Sequence, residues 1–146
     1  MPTIESGPNE EIDRILPIAL LLAFVLHNAE EAISYSSYRD TSQALIRAAF
    51  FDSYSAPSVC TFHGALLAVS AVASAAMIWA RLNSSRPTAA ILVRGLAFLM
   101  LGNVFIPHVP AAILLGGYAP GFVTAVLLNL PIAGFVLLRL RRATIG

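Results

Sequence analysis

Four apolar stretches separated by short polar connections dominate the chain: roughly Ile15–Tyr35, Pro57–Ala80, Arg94–Leu115 and Pro120–Leu138. As helices rising 1.5 Å per residue, each can cross about 30 Å of hydrocarbon. The pattern predicts an all-α integral membrane protein, a four-transmembrane-helix bundle forming one domain over residues 15–138. A solvated N-terminal tail is expected at 1–14 and a basic C-terminal tail at 139–146. Between the first two stretches, Ser36–Ala56 is too polar to span. Its apolar positions Ala44, Leu45, Ala48, Ala49 and Phe51 recur near helical spacing, and Asp40 and Thr41 are N-cap candidates. This predicts an extra interfacial helix on the outer face between helices 1 and 2, where the plainer reading is a solvated loop.

Composition supports the membrane reading. The chain is 58% hydrophobic and 12% charged, whereas soluble domains carry about a quarter charged residues. All nine basic residues are arginine. Arg14, Arg81, Arg86, Arg94, Arg139, Arg141 and Arg142 fall at the termini and the helix 2–3 connection, against Arg39 and Arg47 on the other side. The positive-inside rule then places both termini in the cytoplasm, with a bacterial inner membrane as the expected location. The acidic opening MPTIESGPNEEIDR is unlike the basic start of a secretory signal. A net charge of +1 gives no argument for a nucleic-acid partner, and the single Cys60 excludes an intrachain disulfide. With no glycine-rich phosphate loop, phosphoryl transfer and nicotinamide redox chemistry are set aside.

The polar residues inside the spans are few and agree in depth. His27 lies about 12 Å from the outer end of helix 1, with Glu30 and Glu31 about 6–8 Å from it. His63 lies about 9 Å into helix 2, His108 about 10 Å short of the outer end of helix 3, and Asn129 about 14 Å down helix 4. Asn103 is a turn or more deeper than His108. His27, Glu30 and Glu31 stand at i, i+3 and i+4 and share a face. Ionisable groups at this depth cost a few kcal/mol each, so they turn inward and find partners. Pro107 and Pro110 cannot donate to the carbonyls of Asn103 and Ile106, which predicts a break in helix 3 beside His108. Pro131 similarly frees the Leu127 carbonyl, for which a packing bend is the plain reading.

HNAEE at 27–31, Asn103 and His108 on the third span, and YAPGFVTAVLLNLP at 118–131 together resemble the HXXEE family of small integral membrane proteins. The resemblance covers roughly residues 15 to 138. It implies a four-helix fold, marks His27, Glu30 and Glu31 as signature residues, and supplies no reaction.

The residue types suggest three kinds of chemistry. Imidazoles with carboxylates suit a divalent metal, zinc first, with iron or manganese as alternatives. On this reading His27, Glu30, Glu31, His63 and His108 are the ligand candidates, and His27, Glu30 and Glu31 the catalytic ones. One glutamate can bind metal while the other acts as base, or both can bridge two ions. Without metal, two neighbouring carboxylates and a histidine can run acid–base chemistry. Either case predicts a membrane enzyme hydrolysing, isomerising or cyclising a lipophilic small molecule drawn from the bilayer. Asn103, Asn129 and Tyr118 are candidates to orient substrate or water. The alternative is an ion- or proton-coupled transporter, or an accessory protein whose His/Glu cluster is structural or fixes a homodimer. Scant polarity in the inner half of the spans favours a one-sided pocket over a path. Tyr35, Tyr38, Tyr54 and Tyr118 read most simply as an interfacial aromatic belt, with Trp79 anchoring the opposite rim.

Overall fold

The computed structural model describes residues 8–49 and 51–142. It is all-helical there: α1 (Pro8–Ala49), α2 (Val59–Leu82), α3 (Pro87–Asn103), α4 (Val109–Leu115), α5 (Phe122–Thr124) and α6 (Leu130–Arg142). A π turn over Val104–His108 joins α3 to α4, and a second over Ala125–Asn129 joins α5 to α6. Four helical runs are long and apolar enough to cross a membrane: Arg14–Ala48, Val59–Leu82, Pro87–Leu115 and Phe122–Arg141.

The predicted interfacial helix is not a separate element. Residues 36–49 continue α1 without interruption, giving one helix of 42 residues, about 63 Å long and twice the hydrocarbon thickness. No glycine or proline occurs between Ile18 and Ala49, so nothing breaks the ladder. Asp40 and Thr41 therefore sit within the helix and cap nothing. Helix also extends into the expected tails, beginning at Pro8 and reaching Arg142; the rest of those tails, 1–7 and 143–146, lies outside the described residues.

The extension of α1 holds the connection to α2. Arg39 donates from Nε to the Pro57 carbonyl (2.9 Å) and from Nη2 to that of Ala56 (3.2 Å). Gln43 Oε1 accepts the Ala56 N–H at 2.9 Å, and Arg47 Nε donates to the Tyr54 carbonyl at 2.6 Å. Tyr35 donates to the Pro57 carbonyl at 2.9 Å and stacks on Phe62 with ring centroids 3.7 Å apart. Ser58 then caps α2 by accepting the Thr61 N–H.

The core lies toward the arginine-rich end of the bundle. Leu16, Leu20, Ala23 and Phe24 of α1 meet Ala73, Met77 and Ala80 of α2, Val93, Ala97 and Met100 of α3, and Ala133 and Val136 of α6. The alanines let helices approach closely where lipid gives no hydrophobic drive to association. Arg94 donates from Nη2 to the Leu140 carbonyl at 3.1 Å, joining α3 to α6. On α2 the buried positions, Ala73, Met77 and Ala80, all fall in its second half. Its first half stands away from α3.

Proline explains the first π turn. Pro107 has no N–H to offer the Asn103 carbonyl, and the ladder slips so that Val109 N–H reaches Val104 O, five residues back. The second forms immediately before Pro131, where Leu130 N–H reaches Ala125 O. The break expected beside His108 thus takes the form of a widened turn.

Candidate metal centre

The buried stripes of two helices end in histidine. On α1, Leu16, Leu20, Ala23 and Phe24 face inward, and the next positions on that face are His27, Asn28 and Glu31. Leu22, Val25, Leu26 and Ile33 face outward. In the third span the stripe Val93, Ala97, Met100, Val104 leads to His108. His27 is fully buried and His108 is 3% exposed. The packing that forms the core therefore aims both imidazoles at one point.

At that point the side chains nearly touch. His27 Nε2 and His108 Nε2 are 3.1 Å apart, with their rings edge to face at 83°. Glu31 Oε1 lies 3.4 Å from His108 Nε2 and 3.8 Å from His27 Nε2. A tetrahedral site with bonds of about 2.0–2.1 Å has ligand–ligand edges of about 3.3–3.4 Å. The three observed edges bracket that value, so His27, Glu31 and His108 form a group that can hold a metal ion. Asn103 Nδ2 lies 2.7 Å from His27 Nε2 and 3.0 Å from His108 Nε2. The two ends of an amide are interchangeable by a flip, and in the flipped state Asn103 brings a carbonyl oxygen to the same place as a fourth ligand.

A second network fixes the orientation of His27. Glu30 accepts four hydrogen bonds from the fourth span and the loop before it: Tyr118 Oη (2.8 Å) and Val123 N–H (3.3 Å) on Oε1, Thr124 N–H (2.7 Å) and Thr124 Oγ1 (2.6 Å) on Oε2. Its carboxylate thus neutralises the positive start of that span. Burial first, and then Glu30 itself, push the Tyr118 phenol above the ordinary tyrosine value, so it remains a donor. Thr124 has one hydroxyl proton, which goes to Glu30. Its oxygen therefore accepts from His27 Nδ1, 3.1 Å away, and a neutral His27 carries a lone pair on Nε2. With the Asn103 amide flipped and His108 in the matching tautomer, two imidazole lone pairs and Glu31 Oε1 face one another, an arrangement that suits a positive charge, as a metal ion or a proton.

Gly121 closes the centre from above. Its φ is +76°, and a Cβ there would lie 2.7 Å from Glu31 Cγ, 2.7 Å from His108 Cε1 and 2.8 Å from His27 Cε1. The backbone of the loop before the fourth span rests directly on the three ligand candidates, and only glycine fits.

The structure separates the other expected site residues. His63 stands exposed on α2 with Nε2 2.9 Å from the Ala32 carbonyl, outside the ligand group. Glu30 faces its four donors, and it too is outside that group. Asn129 is fully buried, with neither side-chain polar atom hydrogen-bonded. Tyr118 donates to Glu30 and is outside the ligand group. Asn103, expected to orient substrate, instead touches both imidazoles. Sequence reasoning did not single out Gly121, Thr124 or Asn28, which donates to Ser70 Oγ at 2.8 Å. Gly121 at least carries a signal, as the glycine of the YAPG run that opens the stretch 118–131.

A family described as "protein of unknown function with HXXEE motif" matches residues 18–136, a stretch that contains every residue of this centre. No curated protein and no solved structure matches the chain.

Proposed function

The chain belongs to the HXXEE family, and from that premise we propose that it is a membrane-embedded enzyme using one divalent metal ion, zinc before iron or manganese. His27, Glu31 and His108 hold the ion, Asn103 completes the set, and a lipophilic small molecule is hydrolysed, isomerised or cyclised. When bound, the ion supplies Lewis acidity at an oxygen or a water of lowered pKa. The chain's own residues do the rest. Glu30 and Thr124 hold His27 in the tautomer that presents Nε2, as outer partners of metal-bound histidines do. Gly121 excludes water from above. Glu31, with Oε1 on the imidazoles and its side chain lining the neighbouring cleft, can exchange a proton with a molecule in that cleft. Glu30, with four donors on its two oxygens, leaves that task to Glu31. The distribution of arginines supports a topology with both termini cytoplasmic.

The observation that carries this reading is the convergence of His27 Nε2, His108 Nε2 and Glu31 Oε1 with the Asn103 amide. A shared proton bridges one pair of atoms, whereas this arrangement brings two imidazole nitrogens, a carboxylate oxygen and an amide to one point. The test is metal analysis of detergent-purified protein beside His108→Ala and Glu31→Gln. One equivalent of metal in the wild type, lost in both variants, is expected. A metal-free wild type that stays metal-free after incubation with zinc, iron(II) and manganese(II) would refute the proposal.

A further inference from the structure

We propose that the ligand of this centre is a single-chain lipid ending in a neutral oxygen function, entering sideways from the bilayer between α2 and α3. The assignment of its polar end rests on the metal centre proposed above. A cleft of about 730 Å³ opens there, and Asn28, Glu31 and Asn103 form its polar wall. It runs on into a second cavity of about 550 Å³, sharing Phe24, Val69, Gly95 and Leu99 with it. The second cavity has no charged or hydrogen-bonding side chain in its lining. Together they make a groove that is polar at one end, where it meets the centre, and apolar along the rest.

The sequence accounts for the space. The buried positions of α2 begin only at Ala73, so the two helices part above that point. Ala65 and Ala68 line the gap from α2, and Gly95 and Gly102 line it from α3. A Cβ added at Gly95 or Gly102 would meet nothing within 4 Å. From Asn103 to Ile91 the groove follows twelve residues of α3, about 18 Å.

The shape of the centre points to the same entrance. Gly121 seals it from above, and Glu30 with Thr124 backs His27. His27 and His108 are buried, while the Glu31 side chain is 16% exposed and borders the cleft together with Asn103. An acyl chain alone fills the apolar length but offers no polar partner to the faces of Glu31 and Asn103 that border the cleft. A hydroxyl donates to a Glu31 oxygen and accepts from the Asn103 amide, whereas a carbonyl or ester oxygen accepts from the amide. A charged headgroup at this depth carries its own desolvation cost, and Glu31 already supplies the negative charge. Within the bilayer the chain gains no hydrophobic free energy on moving from lipid into the groove, so the polar end selects the ligand and the groove its chain.

The test is photolabelling in nanodiscs with a hexadecanol carrying a mid-chain diazirine. Labelled positions are mapped by mass spectrometry, and metal is measured in the same preparations. Labels are expected within 65–77 and 91–99, lost in Gly95→Leu, which fills the groove, and kept in Gly64→Leu, which adds the same side chain at an exposed site outside it. A long-chain ester should compete, and hexadecane should not. Labels spread evenly over lipid-facing Ile33, Ile113 and Phe135, or equal competition by hexadecane, would overturn the inference even if metal is present. A metal-free wild type labelled within the groove would overturn the metal centre and leave the lipid site standing.

Discussion

Replacing Gly121 by alanine adds one methyl group at the most crowded point of the molecule. Carbon atoms rest about 3.5–4.0 Å apart, whereas the new Cβ would lie 2.7, 2.7 and 2.8 Å from Glu31, His108 and His27. Each approach is short by about 0.7–1.3 Å. The three obstructing atoms belong to the ligand candidates themselves, of which the two imidazoles are buried and hydrogen-bonded and cannot swing aside freely. Overpacking of this kind costs about 1–3 kcal/mol, and a non-glycine residue in the left-handed region adds about 1–2 kcal/mol. The sum is about 2–5 kcal/mol. Gly116 separates the two contributions: its φ is +66°, and a Cβ there meets nothing within 4 Å. Gly116→Ala should therefore lose only the backbone contribution, and Gly117→Ala, in open space without positive φ, close to nothing. Thermal unfolding in detergent by circular dichroism should rank the variants Gly117, Gly116, Gly121 in increasing loss, at about 2–4 °C per kcal/mol for a chain of this size. Metal occupancy should fall in Gly121→Ala alone. If Gly121→Ala melts with Gly116→Ala and retains its metal, the loop does not rest on the imidazoles and the described closure is wrong.

Further outcomes follow from the same geometry. His63→Ala should retain full metal by elemental analysis, because its imidazole bonds the Ala32 carbonyl; loss of metal would place it in the centre. Thr124→Val preserves shape but removes the acceptor for His27 Nδ1, and metal affinity by competitive chelation should fall about 10–100-fold. Glu30→Gln leaves part of a four-donor site without an acceptor, and should cost about 1–3 kcal/mol in detergent unfolding while metal still binds, more weakly. Tyr118→Phe removes one of those four bonds and should cost about 1 kcal/mol by the same assay.

That His27, Glu31 and His108 share one level of the bundle was readable from the chain, while facing was readable only in part. His27 and Glu31 could be paired because i,i+4 spacing puts them on one face whatever the rest of the fold does. His108 was drawn in by its level and by the prolines beside it. His63 has the right level, but level is one coordinate of two. At 100° per residue, Phe62, eleven residues before Ala73, falls within about 20° of the buried face of α2, whereas His63 lies about 80° round from it. The packing face of α2 is set by alanines and a methionine, which carry little signal against other apolar residues. The contacts of Thr124 and Gly121 were beyond reach for another reason, although the motif that contains Gly121 was visible. Their roles arise from contacts across about ninety residues of chain, and neither a threonine in an apolar helix nor a glycine before one announces such a contact. The polar stretch 36–49 misled for a third reason: a change from apolar to polar residues need not end a helix that is free of glycine and proline.

The unbroken ladder of α1 makes a mast. His27 and Arg47 belong to a single rod, twenty residues or about 30 Å apart. The lower part carries two of the three candidate ligands, and the upper part carries the bonds to the connection with α2. Tilting that rod by 10° about the ligand level moves its tip by about 5 Å. An antibody fragment or a surface tether gripping the tip would therefore have leverage on the spacing between Glu31 and His108.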